Sequence, residues 1–154
     1  MPTFESVLAE EPACIVPQFG NEGKLLSISP NEEDHKALRG MVDSLHWQVW
    51  SVPKCWDALG RLSSERIAVV FCDAILEDGT WKDILNQVGT GIGAPPLIVT
   101  SRLADASLWS EVLNLGGYDV LIKPFNAREV GHVLRNVSLR MTAKYRRTRV
   151  AGAV

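Results

Sequence analysis

The sequence predicts an α/β fold, a parallel five-stranded sheet with crossover helices on both faces. Two observations predict it. From Lys24 onward, five apolar runs of strand length alternate with stretches of helical periodicity, as a parallel sheet requires because each strand must return through a crossover. The third run, Ile67 to Asp73, is continuously apolar until it ends in a carboxylate, as expected of a central strand covered on both faces.

The elements follow in order. Residues 1–23 alternate short apolar pieces with acids, prolines and glycines, and read as an extension or linker, with a short helix at Phe4 to Leu8. Residues 24–140 read as the folded domain, and residues 141–154 as a basic tail continuing the last helix. Strand one is Leu25 to Ser29. Ser29-Pro30-Asn31-Glu32 then reads as a capping box with proline at the first helical position. Helix one should run to about Leu45, with Leu38, Met41, Val42 and Leu45 on one buried stripe. Strand two is Trp47 to Val52, rich in aromatic and β-branched residues, and helix two spans about Lys54 to Leu62.

After strand three, Asp78-Gly79 marks a turn before a helix from about Thr80 to Val88. A glycine-rich loop from Gly89 leads to strand four, Leu97 to Thr100. Asp105 can cap helix four, and Gly116-Gly117 can end it. Strand five is Asp119 to Ile122, followed by Lys123-Pro124-Phe125. Asn126 and Glu129 can open the last helix, Phe125 and Val130 can staple it, and Val130, Leu134, Val137 and Met141 form its packing stripe. Trp109 is assigned to the core with Leu108, Val112 and Leu113, an association face being the alternative.

Composition narrows the function classes. At 154 residues and 17.0 kDa the chain fits one hydrophobic core. Hydrophobic residues at 46% and charged residues at 22% match an ordinary globular chain, and the acidic amino terminus lacks the bases and apolar run of an export signal, so a cytoplasmic protein is expected. Cys14, Cys55 and Cys72 are too widely spaced for a metal knuckle and read as reduced thiols. His35, His46 and His132 lie in separate helical segments, without partners at metal spacing, and read as surface or boundary residues. Arg135 to Arg149 form a basic run that reads as a solvated helix end, so neither nucleic acid nor membrane is an expected partner.

In open parallel sheets, ligands bind outside the carboxyl ends of the strands. Those ends here carry Ser29, Asp73, Thr100 with Ser101, and Lys123. A carboxylate, a hydroxyl and an ammonium in one cleft can support phosphoryl transfer, with the carboxylate as nucleophile and the other two donating to phosphoryl oxygens.

The order strand-Asp73, strand-Thr100, Gly116-Gly-Tyr-Asp-Val-Leu-Ile-Lys-Pro-Phe125 resembles the receiver domains of bacterial response regulators over roughly residues 24–140. The Cys72-Asp73-Ala-Ile-Leu-Glu-Asp78-Gly79 stretch is similar to that family's acceptor segment. The resemblance implies a flavodoxin-like (βα)5 fold, doubly wound, with strand order 2-1-3-4-5. It implies Asp73 as phosphoacceptor, Thr100 as switch hydroxyl, Lys123 as phosphate-binding lysine, and a cis bond before Pro124. It further implies a signalling module rather than an enzyme. The implied partners are a sensor histidine kinase or phosphotransfer protein, a downstream effector, and a homodimer through helix four, strand five and helix five.

Two departures from the family pattern stand out. Ser29 and Pro30 replace the acidic pair that helps hold Mg²⁺, which leaves Asp73 nearly alone as a ligand and implies weak metal binding. Glu32 or Glu33 is the candidate acid to reach the pocket instead, against the plainer reading of Glu32 as a cap. Val120 stands where receivers usually carry an aromatic switch residue, and Tyr118 lies on the same face but too early in the strand. The missing acids motivate an alternative, a phosphorylation-independent pseudo-receiver that serves as a protein interaction module. A flavodoxin-like cofactor binder would need a glycine-containing phosphate loop after strand one, and Ser29-Pro30-Asn31 has none.

Overall fold

The structure, a computed structural model, describes residues 23–91 and 93–153, with side chains to residue 141. The linker and short helix expected before Gly23, Cys14, and the outer side chains of the basic tail lie outside the described residues.

Five strands, β1 (Lys24–Ile28), β2 (Gln48–Val52), β3 (Val69–Asp73), β4 (Leu97–Ser101) and β5 (Asp119–Ile122), form one sheet in the order β2-β1-β3-β4-β5. All its pairings are parallel. The helices are α1 (Glu32–Val42), α2 (Cys55–Ser64), α3 (Trp81–Val88), α4 (Ala106–Leu115) and α5 (Ala127–Ala153). This is the doubly wound fold and strand order expected from the sequence. A two-by-two residue antiparallel hairpin, Ile75–Leu76 with Gly79–Thr80, follows β3. No described helix is long and apolar enough to cross a membrane.

Alternation along the strands divides the core in two. On β3, Val70 and Cys72 join Ile28, Trp81, Ile84 and Val112 beneath α2, α3 and α4. Val69 and Phe71 face the other way, against Leu38, Val133 and Val137 of α1 and α5. Both faces of the central strand are thus buried, which explains its unbroken apolar run. Only polar residues that bond one another can then be accommodated at its carboxyl end.

Most caps are local. Asp105 accepts from Leu108 N–H at 2.9 Å, and Asn126 accepts from Arg128 N–H at 2.8 Å. Gly116, at φ +108°, closes α4 in the left-handed region, and a Cβ on Gly117 would run into the Val112 side chain, so the glycine pair both ends the helix and lets β5 approach it. Two caps were not legible. Thr80 and Asp83 form a capping box on α3. Asp78 caps α2 from a distant loop, accepting from Cys55 N–H at 2.8 Å and Trp56 N–H at 3.0 Å. These bonds hold its carboxyl below the usual range.

Several expectations need correction. Helix α1 starts at Glu32 with Asn31 at its cap, so the box on Ser29 does not form. The Ser29 hydroxyl is committed to carboxylates instead. After Val42 a 3₁₀ turn, Asp43–Leu45, rotates the chain and leaves Leu45 exposed rather than on the buried stripe. Trp109 is 49% exposed, outside the core, because Val112 takes the inward position of α4. Trp56 is also exposed, whereas Trp47 and Trp81 are buried and Trp50 packs against the core, so three of the five tryptophans lie inside. Tyr118 precedes β5 and packs on the α1–α5 side, whereas Val120 packs on the other. The two-residue alternation of β5 begins at Asp119 and does not extend back to Tyr118.

Candidate functional site

Parallel register brings the strand ends level. Asp73 pairs with Thr100, Thr100 with Leu121, and Ser101 with Ile122, so Lys123 emerges one residue beyond the rim. On the other side Ile28 pairs with Cys72, which puts Ser29 beside Asp73. Ser29, Asp73, Thr100 and Lys123 are all buried, none more than 7% exposed.

Their polar atoms bond directly. Thr100 Oγ1 donates to Asp73 Oδ1 at 2.6 Å. Asp73 Oδ2 receives the Lys123 ammonium at 2.9 Å and faces the Ser29 hydroxyl at 2.9 Å. The bond between Lys123 and Pro124 is cis.

The pocket holds a second acid, and it is not Glu32. Glu32 is exposed and lies toward Arg39 on the outer face of α1. Glu33 is exposed as well. Asp34 instead points inward. Its Oδ2 accepts from Lys123 Nζ at 2.7 Å and faces the Ser29 hydroxyl at 3.1 Å. Asp34 stands four and eight residues before Leu38 and Val42, at helical spacing on the buried face of α1. That spacing was the signal available in the sequence. Pro30 is exposed and brings no donor or acceptor to the site.

His35 is also buried, not at the surface. The Ser29 carbonyl can only accept, so Nε2–H donates to it at 2.9 Å, while Nδ1 lies 2.9 Å from Ser27 Oγ. The imidazole thereby ties the β1 backbone to α1 beneath the pocket.

Charge shapes the site. Burial pushes the Asp34 carboxyl up, but the hydrogen bond and charge of Lys123, aided by Ser29 and Asn31, outweigh it and hold the group below its usual range. Burial likewise pushes the Lys123 ammonium down, and the two aspartates outweigh it and raise it. Nearby, burial keeps the Cys72 thiol well above its ordinary value and lifts Cys55 to about 11, so both are protonated and inert at neutral pH.

Mg²⁺ requires hard oxygens in near-octahedral array. Among the described residues, no group of three or more His, Cys, Asp or Glu is arranged to hold a metal. The two carboxylates that do face each other already share the Lys123 ammonium. A divalent ion held by these two carboxylates would have to share them with that ammonium.

No family model matches the chain, and no curated protein matches it. Solved structures do. A two-component response regulator from Clostridium difficile shares 26% identity at a TM-score of 0.68, over 78% of this chain and 98% of that one. The signal receiver domain of an HD-domain-containing protein from Pseudomonas fluorescens aligns at 20% identity and TM-score 0.70, covering 82% and 93% of the two chains. A chemotaxis response regulator of Vibrio cholerae aligns at 17% identity and TM-score 0.67, covering 75% and 98%.

Proposed function

Because the chain has the fold of response-regulator receiver domains, we propose that it is a receiver in two-component signal transduction, with Asp73 accepting a phosphoryl group. The observation that carries this reading is the convergence of Asp73, Thr100 and Lys123 in one buried pocket at the strand ends. Receiver domains are signalling modules rather than classical enzymes. The donor is a phosphohistidine of a sensor kinase or phosphotransfer protein, and the site of action is the cytoplasm.

An Asp73 carboxylate oxygen attacks phosphorus, the P–N bond breaks, and the histidine nitrogen leaves with the bonding pair. Lys123, Thr100 and Ser29 then donate to phosphoryl oxygens. Thr100 has one hydroxyl hydrogen, now spent on Asp73 Oδ1. Redirecting it to the phosphoryl group moves the end of β4, and with it the approach to α4.

That movement has a surface to act on. Trp109 and Leu113 of α4, Ile122 of β5 and Leu139 of α5 are exposed. We assign this face to a downstream effector or a second copy of the chain, with phosphorylation shifting the population between two arrangements. Incubation with a small phosphodonor, followed by intact mass measurement, should add one phosphoryl group, and Asp73→Asn should abolish the gain. An unchanged mass would reject Asp73 as acceptor.

A second reading is a pseudo-receiver that docks its partner without phosphorylation. Both Asp73 oxygens already have hydrogen-bond partners, which favours a carboxylate kept for structure. Under this reading Asp73→Asn retains partner binding, whereas loss of binding in a stably folded variant excludes it.

A further inference from the structure

We infer that Lys123 is the resident cation of this pocket, bridging Asp34 and Asp73 in the place of a divalent metal, and that the site needs no Mg²⁺. The inference draws on the receiver reading only for the expectation that such a pocket would take Mg²⁺.

The bridge is geometrically complete. The ammonium donates to Asp34 Oδ2 at 2.7 Å and to Asp73 Oδ2 at 2.9 Å, both in the range of charge-assisted hydrogen bonds. A Mg²⁺ bound to either of these oxygens at about 2.1 Å would lie no farther than about 5 Å from Nζ, simply by adding bond lengths. A divalent ion must therefore crowd the ammonium in a pocket with little solvent to screen them, or expel it. Expulsion has nowhere to lead, because the lysine side chain is only 5% exposed and its backbone is tied to β4 by Lys123 N–H donating to the Ser101 carbonyl at 2.9 Å.

The other neighbours reinforce the bridge. Ser29, where a metal-binding acid is expected, offers a neutral hydroxyl facing both carboxylates, and the adjacent Pro30 points no oxygen-bearing side chain inward. Asp34 reaches the pocket from α1 and closes on Lys123, so the acid that restores charge to the site also anchors the competing cation. Helix α1, β3 and the segment after β5 are thereby held together by one ammonium.

The test is a titration of the full chain with Mg²⁺, and with Mn²⁺ as a paramagnetic probe, followed at the amide resonances of Asp34, Asp73 and Lys123. The wild type should show no saturable change through the low-millimolar range. Lys123→Gln, which frees two facing carboxylates, should gain saturable binding, and adding Asp34→Asn should remove that gain. Saturable wild-type binding centred on Asp34 and Asp73 would overturn the inference, as would a folded Lys123→Gln variant with no gain. Should that variant not fold, the wild-type titration alone decides. Phosphodonor reactions with and without chelator separate the two proposals. Modification of Asp73 that depends on Mg²⁺ overturns metal independence and leaves the receiver reading standing. No modification under either condition removes Asp73 as acceptor, while the metal titration still decides this inference.

Discussion

The carboxyl-end pocket and the α4–β5–α5 face are built by opposite rules. In the pocket every described polar side chain is buried and bonded, and Lys123 joins residues 89 and 50 positions apart in the chain. Trp109 and Leu113 of α4, Ile122 of β5 and Leu139 of α5, by contrast, each leave apolar surface in water. Burial of an ion pair demands that all partners stay in place, since a lone charge in a dry site is costly. An exposed apolar patch demands nothing of its own fold and becomes useful only when a partner covers it. The contrast teaches where substitutions should alter stability and where they should alter association.

The largest effect should come from breaking the pocket. Lys123→Met strands two buried carboxylates and should destabilise the fold by about 3–5 kcal/mol, read as a lowered denaturant midpoint. Thr100→Val removes one donor from Asp73 Oδ1 and should cost about 1–3 kcal/mol in the same assay. A shift as small as a surface substitution would show that the carboxylate finds water instead.

The ion pairs also set a pH dependence. The folded-state pKa of Asp34 lies below its ordinary 3.8, so its stabilisation is present above that value and is lost as pH falls through the lower folded one. Lys123 lies above its ordinary 10.5, so its contribution is present below that value and is lost as pH rises through the folded one. Thermal unfolding between these limits should be flat with respect to both groups, and Asp34→Asn should flatten the acid limb. An unchanged acid limb would place the titrating group elsewhere.

The smallest effect on stability belongs to the face. Trp109→Ser should change unfolding free energy by less than about 0.5 kcal/mol, yet weaken capture of an effector or self-association measured by sedimentation. Substantial unfolding would mean the indole packs inward after all.

The two halves of the pocket also differ in how legible they were. Asp73, Thr100 and Lys123 were nominated from strand ends alone, because a parallel sheet aligns successive strand termini and the strands were readable as apolar runs. Asp34 and His35 were missed. The segment Ser29 to Glu32 offered a capping box, and the competition for the Ser29 hydroxyl between the helix start and two carboxylates is not written in local sequence. Asp78 was read as a turn former, and its role as the cap of α2 depends on a contact across 23 residues.

The amino-acid sequence by itself determined the α/β architecture, its strand order through the resemblance, and the three polar residues at the ends of β3, β4 and β5. Hydrophobic periodicity suffices for those, because burial of apolar faces is what assembles the sheet. Only the tertiary structure decided that the Asp34 carboxylate closes on Lys123, that His35 is buried, and that Trp109 stays outside. Each of these depends on partners far away in the chain, where the balance between desolvation and pairing is struck after the elements have met.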